Sequence, residues 1–347
     1  MAETIDGPNI VVIGGGTGNF TVLSGLKQAV GEGLTAVVGM ADDGGSTGAL
    51  RDEYGILPPG DIRQCLVALS DMPDEARELV NYRLPKGMTE GSSLAGHTTG
   101  NLLITSAQQI AERQGGTMNE ALDMMGRFFR ITGQVVPATL DDRRLRLETV
   151  DGQIIEGEHA AEEADIASLK GVKVGFDRDP TDINERAEAA IERADMVVIA
   201  PGDLYTSIAP ALAVRGMREA LQRASGVVQV ANLMNRNRHT VDFTVSDHAA
   251  EIERISGAPI LSHVIYNNQP PTKFRLQRYA GEGEYPVEVD AAVLKTAHYR
   301  AIGKPLLSEA EVELDPNDAI AATRSLIRHD PKKIANALLA VYYGNMA

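Results

Sequence analysis

The segment VVIGGGTGNF, residues 11 to 20, sets the tightest limit on what this chain can fold into. Three apolar residues run without a spacer into Gly14, Gly15 and Gly16, then Thr17, Gly18 and Asn19. With Asn9 and Ile10 in front, this reads as a short, fully buried strand that ends in glycine. From Asn19 the period changes. Phe20, Leu23, Leu26 and Val30 recur at spacings of three and four, one face of a helix. LTAVVGMADDGG (34–45) is then a second strand, ending in two acids and two glycines. Strand, glycine turn, helix, strand is the opening of a parallel sheet covered by helices.

The rest of the chain extends that pattern. DIRQCLVALSD (61–71) reads as a helix, GHTTGNLLITSAQQIAERQ (96–114) as a loop feeding a helix, and EALDMMGRFFRIT (120–132) as a further helical face. Residues 144–157 alternate polar and apolar around Asp151-Gly152, a hairpin signal and an antiparallel excursion. TDINERAEAAIERAD (181–195) is an amphipathic helix that feeds the strand and loop MVVIAPGDLYTS (196–207). Helices at 208–224, 246–256 and 332–344 then alternate with strands at 226–235 and 261–268. No internal repeat or low-complexity linker divides the chain. The expected fold is one α/β domain over residues 1–347, a Rossmann-like parallel sheet flanked by helices with a small antiparallel hairpin excursion.

Composition narrows the function. The formal charge is −15, from 48 acidic and 33 basic residues, which argues against nucleic acid and anionic membrane surfaces. An anionic small ligand needs only a local cluster of donors. A single cysteine, Cys65, allows no internal disulfide and sits in an apolar run, where a buried small hydrophobe is expected. The polar start MAETIDGPN does not read as a signal peptide, and no run reaches the ~18 apolar residues of a membrane span. A soluble, cytoplasmic protein is expected, with a homo-oligomer left open.

Glycine-rich loops follow several strands, where an open α/β sheet places its ligands. The first loop lacks the Lys-Ser/Thr of a P-loop, since Asn19-Phe20 stands there, and G-G-G-T-G is one residue too compact for the dinucleotide fingerprint. Its glycines still allow backbone N–H groups and a helix amino terminus to face a phosphate. In ADDGGSTGALR (41–51), Asp42 and Asp43 suit a divalent cation or a ribose hydroxyl. Adjacent residues point oppositely, so one of them serves directly, and Asp43 is the favoured metal ligand and catalytic carboxylate; Ser46 or Thr47 as helix caps is the plain alternative. Asp61 in LPPGDIRQ is read as an N-cap, which puts the cation of Arg63 in a first helical turn, against the dipole. Either an anionic ligand or a salt bridge to Asp61 or Glu53 would answer it. In GHTTGN (96–101), His97 could donate to a phosphate or act as acid/base, with Asn101 beside it. PGDLYTS (201–207) can seat a sugar or base, and NLMNRNRHT (232–240) again places amides and arginines after a strand.

The ordered set GGGTG, ADDGGSTGALR, GILPPGDIRQCLVALSD, GHTTGNLL, VVPATLDD, APGDLYTSIAP, SDHAAEI and RHDPKKIANALL resembles the bacterial gluconeogenesis-factor (YvcK-like) family, which is related to the 2-phospho-L-lactate transferases (CofD-like). The resemblance spans about residues 9–340. It implies a ligand cleft at the strand ends, binding of UDP-N-acetylglucosamine, and an influence on cell shape, cell-wall synthesis and gluconeogenic growth, with no established enzymatic activity on that branch. The transferase relatives use a divalent metal, such as Mg²⁺, and transfer a phospholactyl-type group to a deazaflavin. Carried onto this chain, the ligand-binding positions are Gly15, Gly16, Thr17, Gly18 and Asn19; Asp42, Gly44, Gly45 and Ser46; Asp61, Arg63 and Asn101; Gly202, Leu204, Tyr205, Thr206 and Ser207; and Asn232, Tyr279 and Arg328. Asp43 and His97 are the catalytic candidates. Tyr279 is expected to stack on uracil and Arg328 to grip a diphosphate. The chain departs from the family at Asp203, Asn235 and His239, and a carboxylate at 203 would oppose a diphosphate unless it were turned away or neutralised. A nucleotide-sugar-binding regulator is the leading reading, a metal-dependent phospholactyl-type transferase the second, and an NAD(P)-dependent oxidoreductase the third.

Overall fold

The structure, a computed structural model, describes residues 7–85, 93–164, 169–281, 283–309 and 327–344. The first six residues, on which the reading of no signal peptide rests, lie outside that set. Seven strands form one parallel sheet: β1 (Ile10–Gly14), β2 (Leu34–Val38), β3 (Gln134–Pro137), β7 (Met196–Ile199), β8 (Val227–Val230), β9 (His263–Asn267) and β10 (Arg300–Lys304). Three more, β4 (Leu145–Glu148), β5 (Ile154–Glu156) and β6 (Lys173–Phe176), form a small antiparallel sheet with β4 in the middle.

The order β10-β9-β8-β7-β1-β2-β3 makes β1 the pivot. Ile10 pairs with Leu34 of β2 on one side and with Met196 of β7 on the other. The chain builds outward through β2 and β3, then returns to build outward the other way from β7. The loops leaving β1 and β7 therefore part to opposite faces, and a crevice is expected at their carboxyl ends.

Alternation along β1 explains why both faces are covered. Ile10 and Val12 enter one core with Val22, Leu23 and Leu26 of helix α1 (Gly16–Val30) and with Ile62, Cys65 and Leu66 of helix α3 (Pro59–Leu69). Val11 and Ile13 enter a second core with Ala187 and Ile191, Ala220 and Leu221, Ala249 and Ile252, and with Leu145 and Leu147 of β4. A strand buried on both faces must read as a continuous apolar run, as this one does. Cys65 is a fully buried packing residue, and burial pushes its thiol pKa far up. Among the described residues no helix is long and apolar enough to cross a membrane.

Some boundaries differ from the sequence reading. β2 stops at Val38, so Met40–Gly44 forms a loop that carries both acids. The hairpin at 144–157 gains a third strand, β6. The helix read at 208–224 is divided into a single turn (Ala209–Leu212) and a helix (Met217–Arg223), interrupted at Gly216, whose φ of 96° favours glycine, and the loop before it holds a π-helical turn (Leu204–Ile208).

Candidate functional site

The glycine turn lies at the carboxyl end of β1, and its glycines serve different needs. Gly16 opens α1 with φ 26°, and Gly15 caps the helix without a side-chain bond. Gly18 packs so closely on β7 that an added Cβ would overlap the Pro201 carbonyl oxygen. Gly14 leaves room for Asn19, which is fully buried, donates weakly to Cys65 Sγ and keeps an unpartnered Oδ1 among the described residues. Asn19 and Gly18 therefore shape the turn from behind.

The seat in front of the turn is already filled. A Cβ on Gly15 would meet Asp61 Oδ2, and one on Gly16 would come within 2.8 Å of Asp61 Oδ1. Asp61 is not the N-cap expected from sequence. Pro58 holds that place, Pro59 begins α3, and Asp61 lies in the first turn. Its carboxylate accepts a hydrogen bond from Gly16, while burial and the neighbouring Asp42 raise its pKa to about 7.

Asp42 and Asp43 do point apart, but the inward one is Asp42. It accepts from the Gly44 N–H at 3.0 Å, and its Oδ2 lies 2.9 Å from where a Cβ on Gly60 would be. Burial, opposed by bonds from Gly44 and Thr47, raises its pKa, with the charges of Asp43 and Glu162 adding to the rise. Asp43, favoured above, faces the antiparallel sheet. It accepts from the His159 N–H at 2.9 Å and pairs with Arg144 at 3.2 Å. Its carboxylate ties the excursion to the parallel sheet. Among the described residues no group of three or more His, Cys, Asp or Glu forms that could hold a metal ion. Asp43 is thus engaged by His159 and Arg144, while Asp42 is the carboxylate on the side of Gly60 and Asp61.

The excursion contributes a residue that no motif indicated. Glu158 begins a short helix, Glu158–Glu163, and burial together with Asp42 and Asp61 raises its pKa well above the usual range. Only the fold brings residue 158 to the ends of β1 and β2.

The loop after β7 forms the opposite wall. Asn232 clamps Gly202, accepting from its N–H at 3.1 Å and donating to its carbonyl at 2.7 Å. Ser207 comes against Gly15, which places this loop beside the glycine turn. Leu204, Tyr205 and Thr206 are buried, so the tyrosine ring does not seat a sugar; its hydroxyl donates to Glu251 at 2.8 Å. Two of the family departures meet here. Asp203 Oδ1 accepts from the Tyr205 and Thr206 N–H groups, and Oδ2 lies 2.7 Å from Arg236 Nη1 and 2.8 Å from His239 Nδ1. Burial alone would raise this carboxyl, but His239 and Arg236 hold it well below the usual range. The added carboxylate is met by the added histidine and by the cation of Arg236.

A third group gathers at the first turns of α3, of helix α2 (Gly45–Tyr54) and of the helix Thr99–Arg113. Arg63 Nε donates to Asn101 Oδ1 at 3.0 Å, Asn101 Nδ2 donates to Ser46 Oγ at 3.2 Å, and Ser46 Oγ lies 2.8 Å from His97 Nδ1. Ser46 and Thr47 do not cap α2, whose N-cap is Gly44. Burial and the nearby Arg83 lower the Arg63 pKa to about 10.

Tyr279 and Arg328 lie farther along the same edge. Tyr279 is 7% exposed, packed among Leu233, Leu307 and Ile327, and its hydroxyl accepts from the Ile327 N–H. Its ring braces the wall and is not free to stack on a base. Beyond the carboxyl ends of β9 and β10 a cavity of about 540 Å³ opens, bordered by Pro270, Phe274, Arg275, Leu307 and Ile327.

Comparison with known proteins agrees with this fold. The family model described as 2-phospho-L-lactate transferase CofD matches residues 10–307. A gluconeogenesis-factor relative from Nostoc sp. is 37% identical, over 97% of this chain and 69% of its own. The gluconeogenesis factor of Bacillus subtilis is 32% identical over 96% of this chain and 97% of its own. A crystal structure of a Bacillus halodurans protein superposes with a TM-score of 0.85 at 33% identity, covering 96% of this chain and 99% of that one. The chain belongs to the CofD family and, within it, stands with the gluconeogenesis factors.

Proposed function

We propose that this protein is a cytoplasmic, nucleotide-sugar-binding regulator that takes UDP-N-acetylglucosamine at the strand ends and acts on gluconeogenic growth, cell-wall synthesis and cell shape. One observation carries the reading: hydrogen-bond donors and acceptors lie side by side at the switch between β1 and β7. Arg63 and the loop backbones supply donors for phosphate oxygens, while Asp42, Asp61 and Glu158 supply acceptors for hydroxyls. A nucleotide sugar presents a diphosphate next to hydroxylated rings, which is the complementary pattern. The cavity beyond β9 and β10 gives the base a partly apolar place to lie.

Thermal unfolding with added ligand tests this. At a hundredfold excess over its dissociation constant, a true ligand adds about 2.7 kcal/mol of stability. UDP-N-acetylglucosamine should do so and GDP should not. No stabilisation by any uridine nucleotide sugar would remove the reading.

Transfer of a phospholactyl-type group is the second reading, suggested by the description of the family whose model matches. Product from a guanylyl-activated lactyl donor, Mg²⁺ and a deazaflavin would establish it. The inward carboxylate to test is Asp42.

A further inference from the structure

We propose that Arg63, Arg83 and His97 form an anion seat separate from the glycine turn, which takes a phosphate or carboxylate group. This rests on the strand ends being the ligand site.

Three observations carry the proposal. The first is the charge at the helix Thr99–Arg113. Arg83 is bridged to Thr98 and donates to the Gly96 carbonyl, so its guanidinium lies against the loop before that helix. Arg63 reaches the same junction from α3. It donates to Asn101 and Asn81, and a Cβ on Gly100 would come within 2.6 Å of its Cδ. The acceptors of both arginines are neutral amides and carbonyls. Among the described residues neither has a carboxylate partner. Two cations stand beside a helix amino terminus, against its dipole; the charge of Asp61 acts on Arg63, but its carboxylate is bonded to Gly16 and to neither guanidinium.

The second is the polarity of the hydrogen-bond chain. A guanidinium can only donate, so Asn101 must turn Oδ1 to Arg63 and Nδ2 to Ser46. Ser46 Oγ can accept a second bond from His97 Nδ1–H or give its own proton to that nitrogen, and the anion seat uses the second arrangement. This assigns the neutral ring the tautomer with its proton on Nε2. His97 is 5% exposed, and Nε2 has no partner among the described residues. Every open position of the cluster is thus a donor.

The third is contrast. The glycine turn has an internal carboxylate, Asp61, and the turn 204–208 has Asp203. The junction at Thr98 has only the hydroxyl of that residue as a cap.

The test follows the histidine ring signals of the full chain by NMR during titration with inorganic phosphate, and separately with acetate. His97 is identified by the loss of its signal in His97→Gln. Phosphate should shift His97 saturably. Arg83→Gln should weaken that binding about tenfold or more, and Arg83→Lys should recover part of it. Asp61→Asn should not weaken it, because that change takes a negative charge away from Arg63 and removes no donor of the seat. A response to acetate as well would identify a carboxylate seat, and a response to phosphate alone a phosphoryl seat; either supports the proposal. No movement of His97 with either anion, or equal phosphate binding by Arg83→Gln, would overturn it. Failure of UDP-N-acetylglucosamine to bind would remove the proposed ligand and leave this result standing.

Discussion

The helices that begin at Gly16 and at Thr99 both start at the strand-end site, and the chain treats them oppositely. The first has the carboxylate of Asp61 laid against its opening glycines. The second is met by two guanidinium groups and a histidine donor. The glycine turn resembles a phosphate seat in sequence, yet a buried group of the chain already stands in it. The Thr99 junction lacks the glycine signature and has the charge that an anion needs. Glycines open a backbone, and what fills the opening is decided by residues far away in the chain.

Four substitutions sharpen or break this comparison. The largest effect is expected at Gly18. Its Cβ would overlap a backbone oxygen of Pro201, which cannot swing aside, so Gly18→Ala should lose about 3 kcal/mol or more in urea unfolding. Wild-type stability there would mean that α1 is not pinned to β7.

Asp61→Asn comes next, and its sign depends on pH. The folded pKa is about 7 and the unfolded value near 3.9, so the native state binds more protons between them. The contribution of this group is fully present below about pH 4 and is lost as pH rises through about 7. Asparagine removes that loss. The variant should match the wild type near pH 4 and exceed it by on the order of 3 kcal/mol at pH 8. Equal stability at pH 8 would show that Asp61 is not held against the turn.

Gly100→Ala should have an intermediate effect, about 1–3 kcal/mol, because its Cβ meets both Arg63 Cδ and the Val80 carbonyl. It should also weaken anion binding at the junction while leaving Gly18 contacts intact. Arg83→Gln should change stability least, within about 0.5 kcal/mol, since Arg83 is exposed. A large loss would mean that Arg83 is structural.

Much of the sheet was legible in sequence, because β1, β7 and β8 are buried on both faces and their apolar runs cannot be mistaken for loops. β3 and β10 were not. QVVP has four residues and ends in proline, and RAIGK interrupts its apolar residues with glycine at the edge of the sheet. In the site, Arg63, Asn101, His97 and Ser46 were legible as separate candidates, and the structure joins them into one chain of hydrogen bonds. Asp43 was preferred over Asp42 because nothing local distinguishes two adjacent acids. The distinction comes from His159 and Arg144, more than a hundred residues away. Glu158 and Arg83 carry no motif, and only folding brings them in. Tyr205 reads as a ligand contact from its place after a buried strand and Tyr279 only from the family resemblance, and neither signal reports that both rings are buried.

The central claim is that the strand-end site binds a uridine nucleotide sugar. Isothermal titration of the full chain with UDP-N-acetylglucosamine, for the wild type and for Asp42→Asn, tests it most directly. Saturable one-site binding that Asp42→Asn weakens about tenfold, the loss of one charge-assisted hydrogen bond, is the predicted result. No heat of binding in the wild type, or binding that Asp42→Asn leaves unchanged, would contradict it.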